Sequence, residues 1–193
     1  MLFRSALAFA ALKSDGSVVA WGDSGLGGDS SSVTSSLASG VTQVVSTNQA
    51  FAALKSDGSV VTWGDANSGG NTSGVTGLTS GVVRIFAAGY AFAALKSDGS
   101  VVTWGSINSG GNSSAVAGRL TSGVTRIFAT TDAFAALKSD GSVVTWGSSG
   151  KGGDSTTVAP QLASGVTQVF STSQAFAALK SDGSVVTWGA TTY

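Results

Sequence analysis

Carboxylates are the one class of side chain here with obvious catalytic or metal-binding potential, and half of them fall at a single repeated position. Asp15, Asp57, Asp98, Asp140 and Asp182 each stand in the motif Lys-Ser-Asp-Gly-Ser. The sequence holds no His, Cys or Glu. That removes imidazole and thiolate metal ligands, Ser-His-Asp and Cys-His nucleophile systems, and the commonest general bases, leaving Asp, Lys, Tyr and hydroxyls. Calcium needs several oxygen ligands, and a lone Asp followed by Gly brings no second carboxylate with it, whereas Asp-Gly is ordinary turn chemistry. No enzyme activity, cofactor or metal site is expected, and Asp15-Gly16, Asp57-Gly58, Asp98-Gly99, Asp140-Gly141 and Asp182-Gly183 are read as structural turns.

Lys13, Lys55, Lys96, Lys138 and Lys180 recur in step with the aspartates. They would form a ring of charge in a closed array, but solvated hairpin ends paired loosely with Asp are the plainer reading. Trp21, Trp63, Trp104, Trp146 and Trp188 offer rigid faces on which sugars or peptides stack. Large aromatics usually fill cores, so each Trp is expected to lie over Ala52 or its equivalents between repeats. Phe9, Phe51, Phe92, Phe134 and Phe176 join them as blade core. The pairs Gly69-Gly70, Gly110-Gly111 and Gly152-Gly153 lack the following Lys-Ser/Thr and helix of a phosphate loop.

The element that positions all of these is Ala-Phe-Ala-Ala-Leu-Lys-Ser-Asp-Gly-Ser-Val-Val-Thr-Trp-Gly, at 50–64, 91–105, 133–147 and 175–189. A fifth copy at 8–22 differs only in Ala20 for Thr. Two apolar, β-branched runs around Asp-Gly signal a β-hairpin with a two-residue type I′ turn. That turn pairs Leu54 with Val61 and Ala52 with Trp63. Alternation then puts Ala52, Leu54, Val61 and Trp63 on one face and Phe51, Ala53, Val60 and Thr62 on the other. Both faces are apolar, so each hairpin must be packed between neighbours.

The aligned phenylalanines recur every 41 or 42 residues, the period of a propeller blade. Each unit opens with strand A, Gly-Val-x-x-Ile/Val-Phe/Val, continues through a short polar link into hairpin strands B and C, and ends in a Gly/Ser/Asn/Thr segment with a weak signal for an outer strand D near Ser73 to Val75. Units are drawn at about 1–39, 40–80, 81–122, 123–164 and 165–193 of a single repeat domain. No helix pattern is present, and an all-β, propeller-like tandem repeat of five hairpins follows. An open array, or a fragment completed by oligomerisation, is the alternative. Copy one lacks the front of strand A and copy five lacks a D segment, so unpaired edges offer a route to a dimer or filament.

Formal charge is zero with 10% charged residues, so no basic field exists to hold nucleic acid. No apolar run approaches the roughly 20 residues of a membrane span. The apolar N-terminus looks superficially like a signal peptide, but its Ala-Phe-Ala-Ala-Leu-Lys recurs inside the chain and is read as a strand. Lack of Cys fits either redox compartment.

The unit, with its Ala-Leu, Asp-Gly and Trp-Gly signatures, resembles the blade repeat of the regulator-of-chromosome-condensation superfamily. The spacer leading into Ser39-Gly40-Val41 or Ser164-Gly165-Val166 is closest to the compact propellers typified by the secreted β-lactamase inhibitor of that superfamily. The resemblance covers all five copies and implies the propeller fold, with an extracellular or cell-surface setting slightly favoured. It does not choose a function, since the superfamily includes exchange factors, enzyme inhibitors and repeat proteins of other roles. Two departures stand out. Family blades carry a Gly pair and a His before the Ala-Leu strand, where this chain has Ser46, Thr47 and Ala50, with Ala91, Ala133 and Ala175 equivalent. Familiar members close with seven blades.

Between copies the hairpin is nearly constant, whereas the D segments and the links Asn48-Gln49, Gly89-Tyr90, Thr131-Asp132 and Ser173-Gln174 vary. A rigid scaffold with variable loops is how binding surfaces are built. The expectation is a non-enzymatic scaffold for protein or glycan recognition, or a structural part of a larger repeat protein. A self-assembling homo-oligomer is the runner-up.

Overall fold

The computed structural model describes residues 1–190, and its strands fall into five separate antiparallel sheets of three. The first comprises β1 (Leu2–Arg4), β2 (Ala8–Leu12) and β3 (Val18–Gly22). The second comprises β4 (Val41–Ser46), β5 (Ala50–Lys55) and β6 (Val60–Gly64), and the third β7 (Val82–Ala87), β8 (Ala91–Lys96) and β9 (Val101–Gly105). The fourth comprises β10 (Val124–Ala129), β11 (Ala133–Lys138) and β12 (Val143–Gly147), and the fifth β13 (Val166–Ser171), β14 (Ala175–Lys180) and β15 (Val185–Gly189). The apolar N-terminus is strand, like its internal copies.

The hairpin turn differs from the expected type I′ form. Among the described residues none but Gly has positive φ, so Asp57 does not occupy such a turn; of the pair only Gly58 is left-handed, at φ +78°. The loop has three residues. Gly58 N–H donates to Lys55 O (3.0 Å) and Lys55 N–H to Ser59 O (2.9 Å), a type I turn closed by a left-handed Gly. The cause is local: Ser59 donates to Asp57 Oδ1 from both its backbone N–H (2.9 Å) and its hydroxyl (2.6 Å). These bonds hold Asp57 in its turn at ordinary negative φ.

The extra loop residue slips the register by one and re-sorts the faces. Phe51 pairs with Trp63, Ala53 with Val61, Ala52 with Thr62 and Leu54 with Val60. Trp63 therefore does not lie over Ala52; it stacks on Phe51, ring centroids 5.2 Å apart. A bulge at Thr42 similarly offsets strand β4, so that Val41 and Val44 share a face.

Packing of the sheets follows from these faces. The Phe-Trp face of each sheet covers the Ala-Leu face of the sheet before it, as where Phe92, Ala94 and Trp104 meet Ala50, Ala52 and Leu54. Four such interfaces form, one per neighbouring pair. The segments after Trp-Gly carry short 3₁₀ turns where an outer strand D was expected. Each segment inserts one leucine into the interface: Leu37, Leu78, Leu120 and Leu162 are buried, and Leu78 O accepts the N–H of Val60 at 2.9 Å.

Hydrogen bonds lock the same seams in two further places. Trp63 Nε1 donates to Gly27 O, Trp104 to Gly69 O, Trp146 to Gly110 O and Trp188 to Gly152 O, at 2.9–3.1 Å. The turn glycines Gly16, Gly58, Gly99 and Gly141 each accept from the next inner strand, as in Val82 N–H to Gly58 O at 3.1 Å. Gly69 makes the aromatic seam possible, since at φ +97° a Cβ there would stand 2.6 Å from the Phe92 ring.

Among the described residues no core cluster joins the fifth sheet to the first. Phe9 and Trp21, expected as core, are instead 37% and 45% exposed, because no preceding sheet presents an Ala-Leu face to them. On the fifth sheet Val185 is 61% exposed for the converse reason.

Candidate protein-recognition surface

Strand A of each unit is innermost, with β4 set against β7, β7 against β10 and β10 against β13. The Gly-Val opening starts each of these strands at the preceding hairpin turn, and the link residues end it. Between them lies a groove of about 570 Å³ lined by Phe3, Gln43, Arg84, Phe86, Arg126 and Phe128, among others, none of them acidic.

Two guanidinium groups mark this groove. Arg84 Cζ sits 5.7 Å from the centroid of the Phe86 ring, and Arg126 Cζ 5.6 Å from that of Phe128. Residues two apart on a strand share a face, which sets each Arg beside its Phe. Such cation–π contacts hold the cation over the ring while leaving its N–H donors outward. Among the described residues neither guanidinium meets a carboxylate; the one ion pair is Lys13–Asp15 at 3.5 Å, on the surface.

Gln43 holds the equivalent place one unit earlier and behaves differently. Its Nε2 donates to Ile85 O and its Oε1 accepts from Ile85 N–H, both at 3.0 Å. The side-chain amide thus caps the free inner edge of β7.

The link residues form the rim beside the groove. Their first members are stitched by a backbone ladder: Ala6 N–H to Asn48 O, Asn48 N–H to Gly89 O, Gly89 N–H to Thr131 O and Thr131 N–H to Ser173 O, at 2.6–2.9 Å. Of the second members, Gln49 Oε1 accepts from the Ser68 hydroxyl (3.0 Å) and Asp132 Oδ1 from the Ser109 hydroxyl (2.7 Å). Tyr90 is half-buried, and Asn48 and Ser173 are exposed.

Most of the remaining repeated residues are committed to structure, the exposed Phe9 and Trp21 of the first sheet excepted. Trp63, Trp104, Trp146 and Trp188 are 2–7% exposed, which leaves no ring of free faces for a sugar. The turn aspartates Asp15, Asp57, Asp98, Asp140 and Asp182 each accept from a Ser hydroxyl and backbone N–H two residues on, which holds their carboxyls below the usual range. Among the described residues no three His, Cys, Asp or Glu gather as a metal-binding group. Lys55, Lys138 and Lys180 donate to carbonyls of Ser36, Arg119 and Gln161.

Sequence reasoning passed over Gln43, Arg84 and Arg126. They occupy the unspecified positions of Gly-Val-x-x-Ile/Val-Phe/Val, where a copy-by-copy comparison gives Gln, Arg, Arg and, at 168, Gln. That alternation of charge at one inner position was the available signal.

No protein-family model and no curated protein matches the sequence. Solved structures do. Prp20p from Saccharomyces cerevisiae superposes with a TM-score of 0.60 at 19% identity, over 96% of this chain and 56% of that one. The fold is that of an RCC1-like β-propeller. The CRINKLY WD40 ectodomain of the Arabidopsis thaliana receptor kinase ACR4 gives a TM-score of 0.55 at 18% identity, over 97% of this chain and 62% of that one. Human WBSCR16 gives 0.54 at 18%, over 96% and 60%. The RCC1-like arc described here spans little more than half the length of these structures. Prp20p is described by its binding to Gsp1p and histones, and in a further structure yeast RCC1 is bound by Kap60.

Proposed function

We propose that the chain is a non-enzymatic propeller scaffold that recognises protein through the inner groove and the adjoining link rim. The observation that carries this reading is the pair of guanidiniums of Arg84 and Arg126, held outward over aromatic rings with no carboxylate of their own. The buried tryptophans and the turn aspartates are spent on the scaffold. The protein-binding character of Prp20p supports the same reading by analogy of fold. The absence of His, Cys and Glu argues against hydrolytic or metal chemistry. Nothing observed favours a glycan, since the seams bury Trp63, Trp104, Trp146 and Trp188 and leave no ring of open faces.

A photo-crosslinking residue at Asn48, Tyr90 or Ser173, compared with one at the turn residues Ser56 or Ser139, tests the reading in extract. Protein adducts concentrated at the link positions are expected. Equal labelling at turns and links, or none at either, would refute it.

Self-assembly is supported by a separate observation: the open Phe9-Trp21 face and the open face around Val185 are the two halves of the seam that repeats inside the chain. Solution mass by light scattering that rises with concentration in the wild type, but not in Trp21→Asp, is the result this second reading requires. A constant monomer mass would discard it.

A further inference from the structure

The inner strands leave one edge free, and the pairing tells which backbone groups point from it. Thr130 N–H donates to Ala133 O, and Ile127 pairs with Ala136. Antiparallel pairs alternate between bonded and non-bonded, so Ile127 falls in a non-bonded pair with its N–H and C=O directed off the inner edge of β10. Ile85 is its equivalent on β7, and there the Gln43 amide satisfies both groups. At Ile127 the position of Gln43 is taken by Arg84. A guanidinium has five donors and no acceptor. Arg84 can therefore serve only the carbonyl, and among the described residues nothing accepts from Ile127 N–H.

The result is a place lacking one particular thing: an acceptor oxygen, beside Arg84 and with Arg126 lining the same groove. A carboxylate fits it. One oxygen takes the position of Gln43 Oε1 and accepts from Ile127 N–H; the other accepts from the Arg84 guanidinium. Charge-assisted bonds of this kind are the strong ones, and Arg forms them in pairs. Arg126, one strand further on, would meet a second carboxylate of the same ligand.

We propose that the groove binds an extended acidic peptide, with one carboxylate bridging Ile127 N–H and Arg84 and another on Arg126. This rests on the protein-recognition reading and names its partner class. A peptide suits the site better than a nucleic acid. The groove is lined from four units with aromatic and aliphatic side chains, whereas a polyphosphate needs many cationic contacts and the chain has no net charge.

The test is fluorescence anisotropy of the whole chain with a labelled peptide of alternating Glu and Ser, against the same peptide with Gln for Glu and an oligonucleotide of equal charge. Saturable binding of the Glu peptide is expected, weakened by salt and lowered about tenfold or more by Arg84→Gln or Arg126→Gln, as for loss of a charge-assisted bond. Arg119→Gln, on an outer segment, should leave it unchanged. Arg84→Gln should keep the wild-type melting curve, because Gln there can cap Ile127 as Gln43 caps Ile85. Equal binding of the Gln peptide, tighter binding of the oligonucleotide, or undiminished affinity in Arg84→Gln would overturn the proposal. Crosslinking at the link positions with no binding of the Glu peptide would sink this inference while leaving protein recognition intact.

Discussion

Gly58 and Gly183 hold the same turn position, at φ +78° and +84°, yet their surroundings differ. A Cβ on Gly58 would stand 2.7 Å from Gly81 N in the next unit, whereas one on Gly183 meets nothing within 4 Å. Gly183→Ala should therefore cost only the left-handed strain, about 1–2 kcal/mol. Gly58→Ala adds displacement of the following strand and should cost roughly 1 kcal/mol more. Urea midpoints compare the two, and equal losses would mean that the turn does not support its neighbour. The turn aspartates make a second prediction. Their pKa values are lowered first by the Ser hydroxyl and then by its backbone N–H. A lowered folded pKa gives stability that is present above the unfolded value and lost as pH falls through the folded one. The melting temperature should hold steady down to about pH 4 and decline below it. Scanning calorimetry across that range checks the sign, and a melting temperature that rises on acidification would contradict it.

At the scale of the element, the seam between sheets separates substitutions that look identical in sequence. Trp63 is buried, stacked on Phe51 and bonded to Gly27 O, so Trp63→Ala should cost about 3–5 kcal/mol. Trp63→Phe keeps most of the packing and loses mainly the indole bond, about 1 kcal/mol. Trp21→Ala removes a half-exposed ring with no sheet over it and should cost well under the Trp63→Ala value, and equilibrium denaturation would show all three. The hairpins were legible because repetition multiplies a local signal, but the stacking of Trp63 on Phe51 was not, since it depends on the register. The register was not, because Asp-Gly serves a two- or a three-residue loop, and the choice lies with Ser59 capturing Asp57. The D segment was opaque for another reason: a single buried leucine amid Gly and Ser leaves no period to read. Of the candidate surface, the link residues were visible as variation between copies. The groove was not, since Arg84 and Ile127 come from different units and meet only across the seam.

For the molecule as a whole, each core cluster joins one pair of neighbouring sheets, so stability should accumulate seam by seam. The second, third and fourth sheets are covered on both faces and the first and fifth on one. Amide exchange should be slowest in β5, β8 and β11 and faster in β2 and β14, reflecting sub-global opening from the ends. Uniform protection would instead mean one all-or-none unit. The four seams share one chemistry: Phe and Trp on one side, Ala and Leu on the other, a leucine plug and an indole bond to a glycine carbonyl. An interface that is the same at every joint does not know its place in the series. Duplicating residues 40–80 in frame requires no new complementarity, since the added sheet meets surfaces already matched to it. Length is then a free variable of this architecture, adjustable by genetic duplication one unit at a time, while each added unit brings its own inner position at which to set Gln or Arg.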